Sequence, residues 1–182
     1  MSGFSLRRER VLHRGEVVTL VDATFVGPDG EEFSREVVRH CGAVSVVPVL
    51  ADGHTAVLVR QYRSAIDGLL LEIPAGKLDV DGEASEAAAN RELEEEVGWR
   101  AGRMDKLAEF YNTPGFCDER ATVYLARDLE RTEQSAQGVE EAHMTVEHVD
   151  LHDVPAMIGD GRLTDAKTII GLTLAREALG LR

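Results

Sequence analysis

The sequence is short of basic residues, and this shortage excludes two classes of partner. Lysine and arginine number 20 against 33 aspartates and glutamates, which gives a formal net charge of −13 and an isoelectric point near 4.9. Because nucleic acids and anionic membranes bind basic surfaces, we expect neither as a partner. A phosphorylated small molecule remains compatible with this charge if metal ions supply the local positive charge.

Long apolar runs and paired cysteines are also missing. No stretch approaches the roughly 20 apolar residues of a membrane-spanning helix. No apolar segment of the kind found in secretion signals follows the N-terminal arginines. Cys41 and Cys117 form no CxxC motif, so we interpret them as reduced thiols. We therefore expect a cytoplasmic protein.

What the sequence does contain is a series of short strand patterns and a few helices. Residues 17–26 and 32–39 flank a glycine-rich turn and are typical of a β-hairpin. Further strands are predicted at residues 43–50, 56–63, 69–73, 107–111, 121–126 and 144–149. Helices are predicted at residues 85–97, 154–159 and 164–178. This order predicts a mixed α+β fold.

The first predicted helix has clear start and stop signals. Ser85 is a suitable N-cap, and Ala89, Leu93 and Val97 recur every four residues as an apolar stripe. Gly98 is placed to end the helix, because glycine adopts the left-handed conformation that a helix end commonly requires.

Four glutamates crowd the second half of this helix. Glu92 and Glu96 lie four residues apart and therefore share a face, with Glu95 beside them. From spacing alone, two interpretations remain open. One is a solvated acidic surface that Arg91 neutralises in part, and the other is a site for Mg²⁺ or Mn²⁺, which bind carboxylate and phosphate oxygens. Glu94 points away from the shared face, so we expect it to face solvent.

A longer pattern surrounds these glutamates. Gly76 and Glu83 precede the run Arg91-Glu92-Leu93-x-Glu95-Glu96-x-Gly98-Trp99. This pattern resembles the signature of Nudix hydrolases, which cleave nucleoside diphosphates linked to another moiety. One departure is that six residues rather than the usual five separate Gly76 from Glu83, which we interpret as a longer loop at residues 79–82.

The resemblance implies both a fold and a set of metal ligands. The fold is a mixed β-sheet sandwiched between helices at residues 41–182, preceded by an N-terminal β-hairpin subdomain at residues 1–40. Glu92, Glu95, Glu96 and the backbone carbonyl of Ala75 would hold two or more Mg²⁺ or Mn²⁺ ions, and Glu95 would also take part in catalysis. Arg91 would orient the glutamates by pairing with them.

A second motif lies outside this signature. Pro114 follows Gly98 by 16 residues, in a run that also holds Gly115 and Glu119. On its own the run would be an ordinary proline-glycine turn. In register with the signature, it is similar to the ADP-ribose pyrophosphatase branch of the family. This similarity implies that Pro114, Gly115 and Glu119 contact the substrate.

Two arginines strengthen the similarity to this branch. Arg63 ends the run Arg60-Gln61-Tyr62-Arg63, and Arg35 begins the run Arg35-Glu36-Val37-Val38. We expect both to contact the substrate, since an arginine fork binds phosphate oxygens bidentately. Either arginine could instead be a surface ion-pair partner, which contributes little energy.

The resemblance also implies a reaction and a catalytic base. Glu140 and Glu141, in the polar loop before the strand at residues 144–149, resemble the family's catalytic loop glutamate, with Glu140 the first choice. A water activated by metal would hydrolyse the diphosphate of ADP-ribose to AMP and ribose 5-phosphate.

Two alternatives to this reaction remain open. One is the same chemistry on another nucleoside diphosphate sugar. The other is a ligand-sensing module without catalysis, which the intact signature disfavours. The resemblance further implies a homodimer in which residues 1–40 cross to the partner subunit.

Overall fold

The structure is a computed structural model that describes residues 3–135 and 143–181. These residues form ten strands and three α-helices, which divide into two compact units. The first unit comprises Met1–Gly42 and Tyr111–Arg120, and the second comprises Ala43–Phe110 and Ala121–Arg182. The domain boundary that the sequence places after residue 40 stays a prediction.

The first unit contains a three-stranded antiparallel sheet in the order β1-β2-β3. Its strands are β1 (Ser5–Arg14), β2 (Val18–Val26) and β3 (Glu32–His40). The predicted hairpin is confirmed as β2 and β3. The sequence does not predict β1, because all ten of its residues are exposed and no alternation of polarity marks a buried face.

The second unit contains two sheets and all three helices. Its strands are β4 (Ala43–Pro48), β5 (Thr55–Arg63), β6 (Gly68–Glu72), β7 (Ala75–Lys77), β8 (Trp99–Tyr111), β9 (Arg120–Arg131) and β10 (Thr145–Asp150). Its helices are α1 (Ser85–Val97), α2 (Val154–Gly159) and α3 (Ala166–Ala178). Short 3₁₀ turns lie at Ser64–Ile66 and Leu151–Asp153. The sheets have the orders β7-β4-β9-β8 and β10-β5-β6.

The four-stranded sheet is mixed, and the helices cover both of its faces. Strand β4 pairs in parallel with β9 and antiparallel with β7. Along β4, Val44 and Val46 pack in one apolar cluster with Leu93 of α1, whereas Val47 packs in a second cluster with Leu172 of α3. Because successive side chains of a strand point to opposite faces, α1 and α3 lie on opposite sides of the sheet. The predicted sheet between helices is therefore confirmed.

The ends of α1 correct one prediction and confirm another. Ala84, not Ser85, occupies the N-cap position, and the Ser85 hydroxyl instead shares a hydrogen bond of 2.6 Å with the Tyr124 hydroxyl. At the other end, Gly98 has φ of 66° and donates its N–H to the carbonyls of Glu94 and Leu93. The left-handed backbone needed there explains why glycine ends the helix.

In the part of the chain that the structure describes, each helix is too short or too polar to cross a membrane. Both cysteines lie in this part and are free thiols, Cys41 exposed and Cys117 buried.

Candidate active site

The centre of the site is the contact between Gly76 and Glu92. Gly76 lies in β7, which is held beside β4 by the pairing of Val44 with Gly76. A Cβ atom built on Gly76 would lie only 1.9 Å from Cδ of Glu92 and 2.2 and 2.3 Å from its carboxylate oxygens. The space beside the Gly76 backbone is therefore filled by the Glu92 carboxylate, and glycine is required for this close approach.

Glu96 is the second acid that β7 positions. Glu96 is only 3% exposed, and its Oε2 accepts a hydrogen bond of 3.1 Å from the backbone N–H of Ala75. A buried carboxylate is costly to desolvate unless hydrogen bonds or cations stabilise its charge. The structure thus brings Ala75, Gly76, Glu92 and Glu96 together in one cluster.

Arg91 links the remaining acids of the signature. Its Nε and Nη2 donate to the two carboxylate oxygens of Glu83 at 3.2 and 3.1 Å, and its Nη1 donates to Glu92 at 2.7 Å and Glu95 at 3.3 Å. The hydrogen bonds that Arg91 donates to Glu83 are the main cause of its raised pKa, and the charge of Glu92 adds to the effect. The longer loop after Gly76 leaves Glu83 within reach of this arginine.

This cluster fits divalent cations by the chemistry of its donors. The Arg91 guanidinium pairs with the carboxylates of Glu83, Glu92 and Glu95, and the Glu96 carboxylate accepts from the Ala75 N–H. Within the cluster, Glu92 and Glu95 keep 13% and 20% of their side-chain surface exposed, whereas Glu96 is buried. Oxygen donors of this kind are what Mg²⁺ and Mn²⁺ prefer.

Glu94 lies apart from this cluster. Its two carboxylate oxygens accept hydrogen bonds of 2.8 and 2.9 Å from the exposed side chain of Arg100. The prediction that Glu94 points away from the Glu92 and Glu96 face is consistent with this pairing. Because its ion pair with Arg100 faces solvent, Glu94 can serve as a control residue for the acids of the cluster.

A buried ion network holds Arg63. Glu72, 1% exposed, accepts hydrogen bonds from Nε of Arg63 at 2.8 Å and from Nζ of Lys167 at 2.6 Å. Lys167 also lies 3.0 Å from a carboxylate oxygen of Asp165. Two cations thus compensate the buried Glu72 charge. Glu72 holds Nε of Arg63, and the two terminal nitrogens of the Arg63 guanidinium extend beyond this hydrogen bond.

Sequence reasoning missed Glu72 and Lys167. A signal was nevertheless present, because Glu72 is an acid inside the apolar run of residues 69–73. A charged residue in a buried strand requires a partner. The partner could not be identified from the sequence, since Lys167 lies 95 positions further along the chain.

The other predicted substrate residues belong to the first unit. Arg35 is exposed on β3, donates to the carbonyl of Ser34 at 2.7 Å and lies 5.0 Å from the centre of the Phe33 ring. Pro114 and Gly115 form a turn in which the Phe116 N–H donates to the Thr113 carbonyl at 3.3 Å. The backbone N–H of Glu119 donates to the sulfur of Cys117 at 3.4 Å.

The segment that leaves β9 is fastened to the end of α1. Thr132 donates its N–H to the Gly98 carbonyl at 2.9 Å, and Ser135 donates to the Glu95 carbonyl at 3.2 Å. The side chain of Gln134 donates to the Glu96 carbonyl at 2.6 Å. These donors satisfy carbonyls that the end of a helix leaves without partners. Glu140 and Glu141, the predicted catalytic base candidates, lie outside the described residues.

Comparison with known families identifies the class of protein. The NUDIX domain family matches residues 39–169, which include the whole glutamate cluster. The chain therefore belongs to the NUDIX family, whose hydrolases use divalent metal ions.

Individual relatives align with most of the chain. The ADP-ribose pyrophosphatase of Bacillus subtilis (strain 168) is 38% identical over 154 residues, which cover 85% of this chain and 82% of the relative. The methanol dehydrogenase activator of Bacillus methanolicus is 37% identical over 158 residues, covering 87% and 84%. The ADP-ribose pyrophosphatase of Mycobacterium tuberculosis (strain ATCC 25618 / H37Rv) is 35% identical over 169 residues, covering 93% and 81%.

A solved structure supports the fold. The crystal structure of an ADP compounds hydrolase aligns with a TM-score of 0.83 and covers 97% of this chain and 94% of its own. Its sequence is 23% identical, so this comparison bears on the fold alone.

Proposed function

We propose that the chain is an ADP-ribose pyrophosphatase, an enzyme that hydrolyses the diphosphate bond of ADP-ribose to AMP and ribose 5-phosphate. The observation that carries the proposal is the glutamate cluster, in which Glu92 lies against Gly76 and Glu96 accepts from Ala75. Two relatives that align over most of their own length are named for this activity, which supports the choice of substrate.

Within the proposal, the metal ligands are Glu92, Glu95, Glu96 and the carbonyl of Ala75. Their oxygen donors suit two or more Mg²⁺ or Mn²⁺ ions. Such ions, when bound, neutralise diphosphate oxygens and make a water molecule more acidic. Arg91 keeps Glu92 and Glu95 in place through its hydrogen bonds, so the acids are oriented before a ligand arrives.

The substrate contacts are also part of the proposal. Since Nε of Arg63 donates to Glu72, the terminal nitrogens of Arg63 are the donors that would reach a phosphate oxygen. Arg35, with Pro114, Gly115 and Glu119, would contact the diphosphate and the groups that flank it.

The catalytic base stays a prediction from sequence. Glu140 is the first choice and Glu141 the second, and Glu95, which accepts a hydrogen bond of 3.3 Å from Arg91, would assist. A base of this kind removes the proton of the attacking water.

The proposal includes a homodimer that acts in the cytoplasm. Strand β1 is an edge strand of ten exposed residues, and the first unit exposes several large apolar side chains. They are Phe4, Leu6, Val11, Leu12, Val17 and Val18. An exposed edge with apolar side chains is suited to pairing, and the occupant that we propose is a second copy of this chain.

A second candidate function is hydrolysis of another nucleoside diphosphate sugar, because the glutamate cluster addresses the diphosphate rather than the flanking sugar. A sensing or activating role without catalysis is a third, which the name of the Bacillus methanolicus relative favours. Purified protein with Mg²⁺ separates these by kcat/KM for ADP-ribose, ADP-glucose and GDP-mannose. Preference for ADP-ribose supports the proposal, and absence of turnover on all three contradicts it.

The site assignment is tested by comparing two glutamates of the same helix. We expect Glu96→Gln to lower kcat for ADP-ribose about 100-fold or more at saturating Mg²⁺, because it removes a charged ligand. We expect Glu94→Gln to keep kcat within about twofold, because Glu94 only pairs with the exposed Arg100. Thermal unfolding of both variants shows whether each remains folded. Near wild-type turnover of a folded Glu96→Gln protein would refute the assignment.

A further inference from the structure

Two histidines and an aspartate meet at a second place in the second unit. His54 lies in the turn between β4 and β5, Asp150 ends β10, and His152 follows in the 3₁₀ turn. Each offers one ligand atom, and these three atoms lie within 4.8 Å of one another. The rings of His54 and His152 have centroids 5.7 Å apart.

The backbone around these side chains is fixed by hydrogen bonds. Asp52 accepts from the N–H groups of His54 and Thr55 at 3.0 and 2.9 Å, which closes the turn. The His54 carbonyl accepts from the Leu151 N–H at 2.8 Å and joins the turn to the end of β10. The Asp150 carboxylate accepts from the His152 N–H at 2.9 Å. The three side chains are therefore carried by an ordered frame.

One nitrogen in this group lacks a hydrogen bond. Nδ1 of His54 is buried and has no hydrogen-bond partner among the described residues, although Oδ2 of Asp150 lies 3.5 Å away. Two ligands of a tetrahedral zinc ion, each about 2.1 Å from the metal, lie about 3.4 Å apart. The separation of these two atoms thus matches one edge of a zinc coordination shell. Nδ1 of His152 lies 2.7 Å from Oδ1 of Asp150 in a hydrogen bond, which it would exchange for a bond to the ion.

We propose that His54, Asp150 and His152 bind one divalent transition-metal ion of the zinc class. Neutral imidazole nitrogens and a carboxylate oxygen are ligands that suit zinc, whereas Mg²⁺ prefers oxygen ligands alone. With three protein ligands, solvent completes the coordination. The ion would fasten the turn between β4 and β5 to the end of β10.

This site is separate from the glutamate cluster. Strand β4 begins beside β7, where Ser45 pairs with Ala75, and its far end leads through Val49 and Leu50 into the turn that holds His54. Because a strand rises about 3.3 Å per residue, the two sites lie at opposite ends of β4. The donor types differ as well, so the two sites select different metals.

Equilibrium dialysis of the intact protein against Zn²⁺ in saturating Mg²⁺, followed by elemental analysis, tests the proposal. We expect one Zn²⁺ per chain that resists replacement by Mg²⁺. We also expect Zn²⁺ to raise the thermal unfolding midpoint by about 5 °C, because an ion that binds only the folded state stabilises it. His152 is exposed, so His152→Ala removes a ligand without opening the core. This variant should bind Zn²⁺ at least about tenfold more weakly.

Two further variants make the outcome decisive. His148→Ala removes an exposed histidine of the same strand that lies outside the group, and it should bind Zn²⁺ like the wild type. Glu96→Gln should also keep the Zn²⁺ equivalent, because the glutamate cluster does not supply it. Equal binding by the wild type and His152→Ala would overturn the proposal. Loss of the ion in Glu96→Gln but not in His152→Ala would do so as well.

Discussion

Gly76 determines the position of Glu92 because glycine has no Cβ atom to fill the space beside its backbone. Alanine there would place a Cβ 1.9 Å from the Glu92 carboxylate carbon, and the flexible end of Glu92 would move aside. We expect Gly76→Ala to lower kcat for ADP-ribose by about 100-fold, since it displaces Glu92 from its proposed position as a metal ligand. We expect the unfolding midpoint to change little, because rotation of one side chain relieves the overlap. Steady-state kinetics and thermal unfolding measure the two effects.

Gly159→Ala is the matched control for this substitution. A Cβ on Gly159, at the end of α2, would meet no described atom within 4 Å. We expect this variant to keep the kcat of the wild type, with an unfolding midpoint that is equal or slightly higher because alanine is favoured over glycine in a helix. Wild-type turnover by Gly76→Ala would mean that Glu92 does not need its position beside Gly76.

At the scale of single elements, α3 depends on its N-cap. Asp165 accepts hydrogen bonds from the Thr168 N–H at 2.9 Å and the Thr168 hydroxyl at 2.6 Å. Burial by itself raises the pKa of Asp165, but the Lys167 ammonium and the Thr168 donors outweigh it and hold the pKa below its ordinary value of 3.8. Because the folded-state pKa is depressed, the charge stabilises the fold above pH 3.8, and this stabilisation is lost as pH falls through the folded-state pKa.

Asp165→Asn tests this pH dependence, because asparagine keeps the capping oxygen and removes the charge. At pH 7 we expect the variant to be about 1 kcal/mol less stable than the wild type. The difference should persist down to about pH 5 and shrink below about pH 4. Urea unfolding of both proteins at three pH values measures it. A difference that grows towards low pH would contradict the expected charge state of Asp165.

Lys167 links α3 to the strand that carries Glu72. Lys167→Met leaves the buried Glu72 with one cation instead of two, so we expect the free energy of unfolding to fall by about 3 kcal/mol. Lys106→Met removes a half-exposed ion pair with Glu109 and should cost less than about 1 kcal/mol. Chemical denaturation compares them. Equal losses would show that the buried network contributes no more than a surface pair.

The sequence predicts those elements whose signals are local. The sequence predicts helix α1 because its apolar stripe, its glutamate spacing and Gly98 all lie within one segment. The sequence does not predict strand β7, because the three residues after Pro74 carry no periodicity. They form a strand only through their pairing with β4. The sequence pattern wrongly predicts Ser85 as the N-cap, because the hydrogen-bond partner of Ser85, Tyr124, comes from a distant strand.

The same distinction applies to the candidate site. The proposed ligand positions of α1 follow from a fixed spacing along one helix, so the sequence is sufficient to propose Glu92, Glu95 and Glu96. The hydrogen bond from Arg63 to Glu72 could not be predicted in this way, because Glu72 and Lys167 meet only when α3 packs on the sheet. Contacts between residues that are far apart in the sequence produce no periodic pattern from which they could be predicted.

At the scale of the whole molecule, the exposed apolar side chains of β1 predict self-association. We expect sedimentation velocity to show a dimer at micromolar concentration. Leu6→Glu places a charge among the exposed apolar side chains of β1 and should raise the dimer dissociation constant at least about tenfold. Val80→Glu, at a comparably exposed apolar position in the second unit, should leave it unchanged. A wild-type monomer at micromolar concentration would refute the proposed dimer.

The contact between Gly76 and Glu92 also limits which substitutions the chain can accept. Every amino acid other than glycine carries a Cβ, so the overlap with the Glu92 carboxylate arises whatever the new side chain is. We therefore expect every replacement to displace the Glu92 carboxylate, whatever its size, charge or polarity. In a saturation library selected for activity, Gly76 should be as intolerant as the glutamates themselves, although it contributes no functional group.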